Sequence, residues 1–94
     1  MTDSEIQAAL KAHPEWKVVN GKLHRELKFA DFVQAFSFMT AAALAAESMG
    51  HHPEWSNVYN RVTIDLTTHD AGGISEKDFA LAGKLDQLAA MRKP

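Results

Sequence analysis

The spacing of apolar and polar residues changes along the chain, and the clearest pattern predicts a long central helix. From residue 32 onward, apolar side chains recur at intervals of three and four, at Phe32, Phe36, Met39, Ala43 and Ala46. We expect Phe32, Phe36 and Met39 to face the core. The other faces of this helix are also apolar, so the pattern further predicts cover from a sheet and from other helices.

Alternation of apolar and polar residues predicts four strands in two pairs. The four segments are residues 16–19, 23–29, 55–58 and 61–68. The first pair flanks Asn20-Gly21, a dipeptide that favours the left-handed conformations of a tight hairpin turn. In the fourth strand the polar positions end in His69, which we expect at the strand's exit or on the open side of the sheet.

Two capping patterns predict helices near the ends of the chain. Thr2 and Glu5 have the spacing of a capping box, and so do Ser75 and Asp78. The order of elements is then helix, hairpin, helix, strand pair, helix. This order predicts a single α+β domain over residues 1–94, with a four-stranded antiparallel sheet and three helices packed on one face.

Composition excludes several classes of protein. The 94 residues include ten Lys and Arg against twelve Asp and Glu, dispersed along the chain, so direct nucleic-acid binding is not expected. The first residues are polar and acidic, unlike an export signal, and the uncharged stretch between Asp31 and Glu47 is shorter than the ~20 residues of a membrane span. No cysteine is available for disulfides or thiolate metal sites. We expect a soluble, cytoplasmic protein without membrane contact.

Three of the five histidines lie within nineteen positions, at His51, His52 and His69. Imidazole gains and loses a proton near neutral pH, so the cluster predicts a proton-transfer site and an enzyme. Glu47 precedes His51 by four residues, in the last turn of the central helix, where an unpaired carboxylate is unfavourable. We expect Glu47 to pair with His51 and to tune it as an acid/base. Pro53 favours an extended His52, whose ring then points elsewhere.

The same residue types have purely structural explanations. Most histidines are solvated or satisfied by one partner, and this is our interpretation of His13 and His24. Zinc is a rival for the cluster, but neighbouring histidines rarely bind one ion and no HExxH or Cys/His spacing is present, so we expect no metal. Trp55 and Tyr59 either pack in the core or form the wall of a site for a flat heterocycle. Asp78 is first a capping residue and second a site residue.

The cluster belongs to a longer pattern with fixed intervals. It consists of Glu47, three residues, His51-His52-Pro53, five residues, Tyr59, nine residues, His69, eight residues and Asp78. This pattern resembles the signature of the pterin-4a-carbinolamine dehydratase family. The resemblance includes Pro53-Glu54-Trp55 and residues 57–60, and it departs at Gly50, where an acidic or amide residue is common.

The resemblance implies a cofactor-free lyase that removes water from a 4a-hydroxytetrahydropterin, giving the quinonoid dihydropterin and so recycling the pterin that aromatic amino-acid hydroxylases oxidise. It implies that His51 and His69 act as acid and base, while His52, the third catalytic histidine, chiefly holds the pterin. The implied pocket residues are Gly50, His51, His52, Thr67, Thr68, His69 and Asp70. The implied supporting residues are Glu47, Pro53, Trp55 and Asp78.

Family resemblance also implies assembly as a homodimer or homotetramer, and some vertebrate members bind a homeodomain transcription factor. An apolar central helix and a core rich in alanine are consistent with self-association. The second hypothesis is therefore a non-catalytic dimerisation module, a coactivator-like scaffold that has kept the fold. The three histidines favour the enzyme, because a scaffold has no physical need for them.

Overall fold

The computed structural model describes residues 1–92 and contains three α-helices and one antiparallel sheet of four strands. The elements are α1 (Asp3–Leu10), β1 (Lys17–Val19), β2 (Lys22–Lys28), α2 (Phe32–Met49), β3 (Glu54–Val58), β4 (Arg61–Leu66) and α3 (Glu76–Ala90). The strands lie in the order β1-β2-β4-β3. The predicted α+β class and its element order are confirmed; the single domain over 1–94 stays a prediction, and its residues 93 and 94 lie outside the described part.

One face of the sheet is apolar and forms the core, because side chains alternate along each strand. The register places Leu23 opposite Leu66 and Leu27 opposite Val62, and all four side chains are buried. Arg25 interrupts this inner face, opposite Ile64. Its guanidinium donates to Asp86 of α3, which also accepts from the indole N–H of Trp16 at 2.8 Å. The ion pair therefore joins α3 to the β1–β2 hairpin.

The central helix α2 packs its core face differently from the prediction. Its buried residues are Ala35, Phe38, Ala42 and Ala46. Phe32 and Phe36 are 47% and 53% exposed, so their predicted core role is wrong, whereas Met39 is half-buried against the core. Apolar side chains occupy every face of α2, so spacing alone does not select the inner one. The three small alanines let the helix approach the sheet and α3 closely, and Phe38 fills the remaining space.

The outer face of α2, defined here by Phe32, Val33, Phe36 and Leu44, carries large apolar side chains that are exposed. By length and composition alone this helix is able to cross a membrane. Its buried residues, however, lie in the same core as the sheet and α3, as in the core helix of a globular domain.

Three chain segments meet beside the end of α2 and position the candidate site. Helix α2 ends at Gly50, whose φ of 63° is left-handed and turns the chain out of the helix. After β4, Thr68 pairs with Gly73 and closes a short loop. That loop contains a 3₁₀ turn over His69–Ala71. Helix α3 then begins after Ser75, with the predicted capping box between Ser75 and Asp78 present.

Candidate active site

All three clustered histidines line one cavity of about 380 Å³ at the end of α2. The lining residues are Gly50, His51, His52, Glu54, Thr67, Thr68, His69, Asp70 and Lys77. Every pocket residue that the family resemblance implied is among them. Glu54 and Lys77 also line the cavity and were not predicted. Only their places in the sequence pointed to them, because each is next to a predicted site residue: Glu54 follows Pro53, and Lys77 precedes Asp78.

His51 is held by a buried carboxylate from a distant part of the chain. Its Nε2 lies 2.5 Å from Oδ1 of Asp78, a residue with no exposed surface. The predicted pairing of His51 with Glu47 is wrong. Because Gly50 leaves α2 in a left-handed conformation, the ring of His51 turns away from the helix and towards the first turn of α3.

The second oxygen of Asp78 is also fully engaged. Its Oδ2 accepts the backbone N–H of Ser75 at 2.9 Å and the hydroxyl of Thr68 at 2.9 Å. Asp78 is therefore both the capping residue of α3 and the partner of His51. With donors at both carboxylate oxygens, this network assigns the ring proton of His51 to Nε2. The opposite nitrogen, Nδ1, is left as the one that can accept a proton from a molecule in the cavity.

His52 makes a separate pair at the rim of the cavity. Its Nε2 lies 2.8 Å from Oε1 of Glu47, and both side chains are mostly exposed. An exposed pair of this kind contributes about 0 to 1 kcal/mol, so it orients the ring more than it stabilises the fold. Glu47 thus contacts the second histidine of the cluster, and His51 and His52 point to different partners, as the sequence analysis expected for neighbouring rings.

His69 reaches the cavity from a different element. It opens the 3₁₀ turn that follows β4 and is exposed, at the strand exit where the alternation predicted it. Asp70 is also exposed beside it. Two imidazoles from separate segments therefore face one polar cavity, an arrangement that can supply a proton to one atom of a bound molecule and remove a proton from another.

The two aromatic residues considered for the site lie elsewhere. Trp55 is half-buried and packs against the core, and Tyr59 is exposed at the turn between β3 and β4, with a φ of 50°. Neither lines the cavity. Pro53 directly follows the histidine pair and is half-buried. Pro53 and Trp55 lie where the chain passes from the histidine pair into the edge strand β3, and their supporting role stays a prediction.

The remaining two histidines have structural partners, as predicted. His13 packs on Phe79, with ring centroids 5.5 Å apart. His24 on the open face of the sheet bonds through both nitrogens, Nδ1 to Asp65 at 2.8 Å and Nε2 to Glu26 at 3.1 Å. Hydrogen bonding to Asp65, and then to Glu26, raises the pKa of His24 above its ordinary value. Within residues 1–92, no group of three or more His, Cys, Asp or Glu side chains has a geometry that could hold a metal ion.

Comparison with known proteins adds a family context to this geometry. The family model for pterin 4 alpha carbinolamine dehydratase matches residues 1–88. A Solibacter usitatus protein, provisionally named a pterin-4-alpha-carbinolamine dehydratase, is 72% identical over 90 residues, which cover 96% of this chain and 95% of that protein. A Picosynechococcus protein with the same provisional name is 50% identical over 88 residues, covering 94% and 96%.

Two solved structures are similar in fold. The Brucella melitensis protein described as a transcriptional coactivator/pterin dehydratase has a TM-score of 0.91 and 46% identity, covering 95% of this chain and 97% of its own. A pterin dehydratase-like protein, described as a RuBisCO assembly factor in the alpha-carboxysome, has a TM-score of 0.66 and 25% identity, covering 79% and 86%.

Proposed function

We propose that this chain, which belongs to the pterin-4a-carbinolamine dehydratase family, is a lyase that dehydrates a 4a-hydroxytetrahydropterin to the quinonoid dihydropterin. The observation that carries the proposal is the cavity lined by His51, His52 and His69, in which His51 is backed by the buried Asp78. Family membership supports the pterin as substrate. We further propose that the reaction recycles pterin oxidised by aromatic amino-acid hydroxylases, in a cytoplasm with which a chain lacking cysteine is compatible.

Dehydration of this substrate needs two proton transfers. The C4a–O bond breaks as the N5–H electron pair forms the C4a=N5 double bond, so N5 loses a proton to a base and the departing oxygen gains one to leave as water. His51 is suited to be the base, because its Nε2–H is committed to Asp78 and Nδ1 is the remaining acceptor. His69, in its protonated form, is then the acid. No metal or organic cofactor is required by this balance.

Other residues of the cavity have the chemistry to hold the pterin. The pyrimidine ring of a pterin presents an amino group and a ring N–H, which are donors, and the exposed carboxylates of Glu54 and Asp70 line the cavity as acceptors. His52, braced by Glu47, provides a further polar group at the rim. Gly50 has no side chain, so it lines the cavity with backbone atoms only. We assign these residues, with Thr67, to binding.

Stopped-flow dehydration of synthetic 4a-hydroxytetrahydropterin tests the proposal. Wild type is expected to accelerate the reaction, and His51→Ala and His69→Ala are each expected to lower kcat by roughly 10² to 10⁴. His52→Ala is expected to raise KM more than it lowers kcat. His13→Ala, a histidine outside the cavity, serves as the control and keeps the wild-type rate. Wild-type rates in both His51→Ala and His69→Ala would show that the catalytic assignment is wrong.

A second candidate function is an interaction module, and the exposed outer face of α2 favours it. Exposed apolar patches of this kind mark association surfaces in soluble proteins. We propose that this face forms the interface of a homodimer or homotetramer, and that it can also bind another protein. The two structural neighbours described as a coactivator and as an assembly factor are in line with such a role.

Sedimentation velocity separates the two functions. Leu44→Glu places a charge on the outer face of α2, and we expect it to yield monomers. His51→Ala leaves that face intact and is expected to keep the wild-type assembly while losing dehydration. If Leu44→Glu sediments as wild type, the outer face of α2 is not the association surface.

A further inference from the structure

A chain of hydrogen bonds runs from the first turn of α3 to the carboxylate behind His51. The backbone N–H of Lys77 donates to Oγ of Ser75 at 3.2 Å. The hydroxyls of Ser75 and Thr68 are 2.7 Å apart, and the Thr68 hydroxyl donates to Oδ2 of Asp78 at 2.9 Å. Thr68 and Asp78 are both buried, so water does not compete for the bond between them, whereas the bond from Lys77 to Ser75 is exposed.

The direction of every bond in this chain is fixed by counting protons. An amide N–H can only donate, so Ser75 Oγ accepts from Lys77. Thr68 has one hydroxyl proton and gives it to Asp78; the contact between the two hydroxyls must therefore be a donation from Ser75 to Thr68. The backbone N–H of Ser75 adds a second donor to Oδ2 of Asp78. Two donors therefore saturate Oδ2, and Oδ1 is the oxygen that faces His51.

We propose that Thr68 and Ser75 are positioning residues for the dehydration, acting on His51 through Asp78. The reaction in this inference is the one given under the proposed function. The positioning of His51 is argued from the hydrogen bonds alone. Two anchors at Oδ2 prevent the carboxylate from rotating, so Oδ1 stays aligned with Nε2–H of His51 and Nδ1 stays directed to the substrate. The family resemblance placed Thr68 among the substrate-binding residues. Its hydroxyl donates to Asp78 instead, so we do not expect that hydroxyl to contact the substrate.

The order of effects follows from the contacts. Removing the Thr68 hydroxyl takes one of the two anchors from Oδ2 and breaks the link to Ser75. Replacing Ser75 by glycine removes the hydroxyl that orients Thr68 and that accepts from Lys77, while the backbone N–H to Asp78 remains and glycine is tolerated as a helix N-cap. Thr68→Val is therefore expected to disturb the alignment of His51 with Asp78 more than Ser75→Gly does. Thr68→Ser keeps the hydroxyl and is expected to keep that alignment.

Proton NMR of His51 in the free protein is the first measurement. An N–H in a short hydrogen bond to a buried carboxylate gives a resonance well downfield of the amides, and wild type is expected to show it for Nε2–H. Thr68→Val is expected to broaden or move that resonance, Thr68→Ser to restore it, and Thr63→Val, a neighbouring strand threonine outside the chain of bonds, to leave it unchanged. Circular dichroism checks that each variant is folded.

Stopped-flow kinetics on the same variants is the second measurement. We expect Thr68→Val to lower kcat by about tenfold with KM unchanged, because the residue acts through the base and not on the substrate. If Thr68→Val does not fold, Ser75→Gly carries the test, with a smaller change in the same resonance and in kcat. A folded Thr68→Val or Ser75→Gly with the wild-type resonance and the wild-type kcat would overturn the proposal.

The two measurements separate the inference from the function on which it rests. The resonance is recorded without substrate, so the hydrogen-bond chain is tested even if the protein dehydrates no pterin. A resonance that responds as expected, in a wild type without dehydratase activity, would overturn the proposed function and leave the positioning of His51 supported. A change in KM alone would overturn the positioning role, because it would place Thr68 against the substrate.

Discussion

Replacing Asp78 by asparagine changes one atom of the pair with His51 and reverses the direction of the hydrogen bond between them. The amide oxygen is expected to take the place of Oδ2, since two donors, from Ser75 and Thr68, point there. Turning the amide the other way would leave those buried donors unsatisfied, at about 1 to 3 kcal/mol each. The NH₂ group therefore faces Nε2 of His51 and forces the ring proton onto Nδ1, the atom that acts as base.

The size of the effect follows from two terms. Keeping the active tautomer would place two N–H groups against each other across the 2.5 Å contact, at a cost of about 1 to 3 kcal/mol. The charge that forms on His51 during proton abstraction also loses a carboxylate partner, and hydrogen bonds to charged groups contribute about 1.5 to 3 kcal/mol. Together these give about 2.5 to 6 kcal/mol, which lowers kcat by roughly 10² to 10⁴.

Stopped-flow dehydration measures this change, with thermal unfolding run beside it. KM is expected to change little, because Asp78 does not line the cavity. Asp65→Asn is the matched control: it alters the same kind of Asp–His pair, between Asp65 and His24, outside the cavity, and should keep the wild-type kcat. A folded Asp78→Asn enzyme with wild-type kcat would refute the role assigned to this carboxylate.

Three further predictions concern the scaffold and the rim of the site. Because its two carboxylate partners raise the pKa of His24, the stability that the charged ring contributes is complete below about pH 6.5 and is lost as pH rises through the folded-state pKa. Between about pH 6 and about pH 9, the free energy of unfolding in urea should fall more for wild type than for His24→Gln, and equal falls would contradict this. Glu47→Gln should change kcat by less than about fivefold, since its pair is exposed, and a loss of the size expected for Asp78→Asn would mean that Glu47 serves the base after all. Phe38→Ala should lower the free energy of unfolding by about 3 to 5 kcal/mol, whereas Phe36→Ala in the monomer should cost less than about 1 kcal/mol.

Much of the fold was predictable because its signals are local. The Asn20-Gly21 dipeptide predicted the hairpin turn, and Asn20 and Gly21 have φ values of 52° and 75° in the structure. The capping box at Ser75 predicted the start of α3 for the same reason, since all of its contacts lie within one turn. Period-two alternation in β4 likewise separated the buried Val62 and Ile64 from the half-buried Thr63 and Asp65.

The inner face of α2 was not predictable from spacing. A helix with one apolar stripe has one way to meet a core, but this helix is apolar on several faces. The packing then depends on size, with alanines at Ala35, Ala42 and Ala46 allowing close approach. Size complementarity is a property of two surfaces, and one sequence segment does not contain it.

The partner of His51 was missed for a different reason. Glu47 stands one helical turn earlier and would be the natural partner if α2 continued. The left-handed Gly50 ends the helix between them, and the ring turns to Asp78, which is 27 residues away in sequence. Local spacing pointed to the three histidines, Glu47 and Asp78, and the family resemblance implied the other pocket residues, but the way they pair is set by the tertiary fold.

We propose that the cavity at the end of α2 holds a pterin between His51 and His69. Crystals grown with a 7,8-dihydropterin product analogue test this proposal. We predict the bicyclic ring in this cavity, with N5 about 3 Å from Nδ1 of His51 and with His69 facing the C4a side. A ligand bound elsewhere on the chain, or crystals in which a saturating analogue leaves the cavity unfilled, would contradict this binding mode.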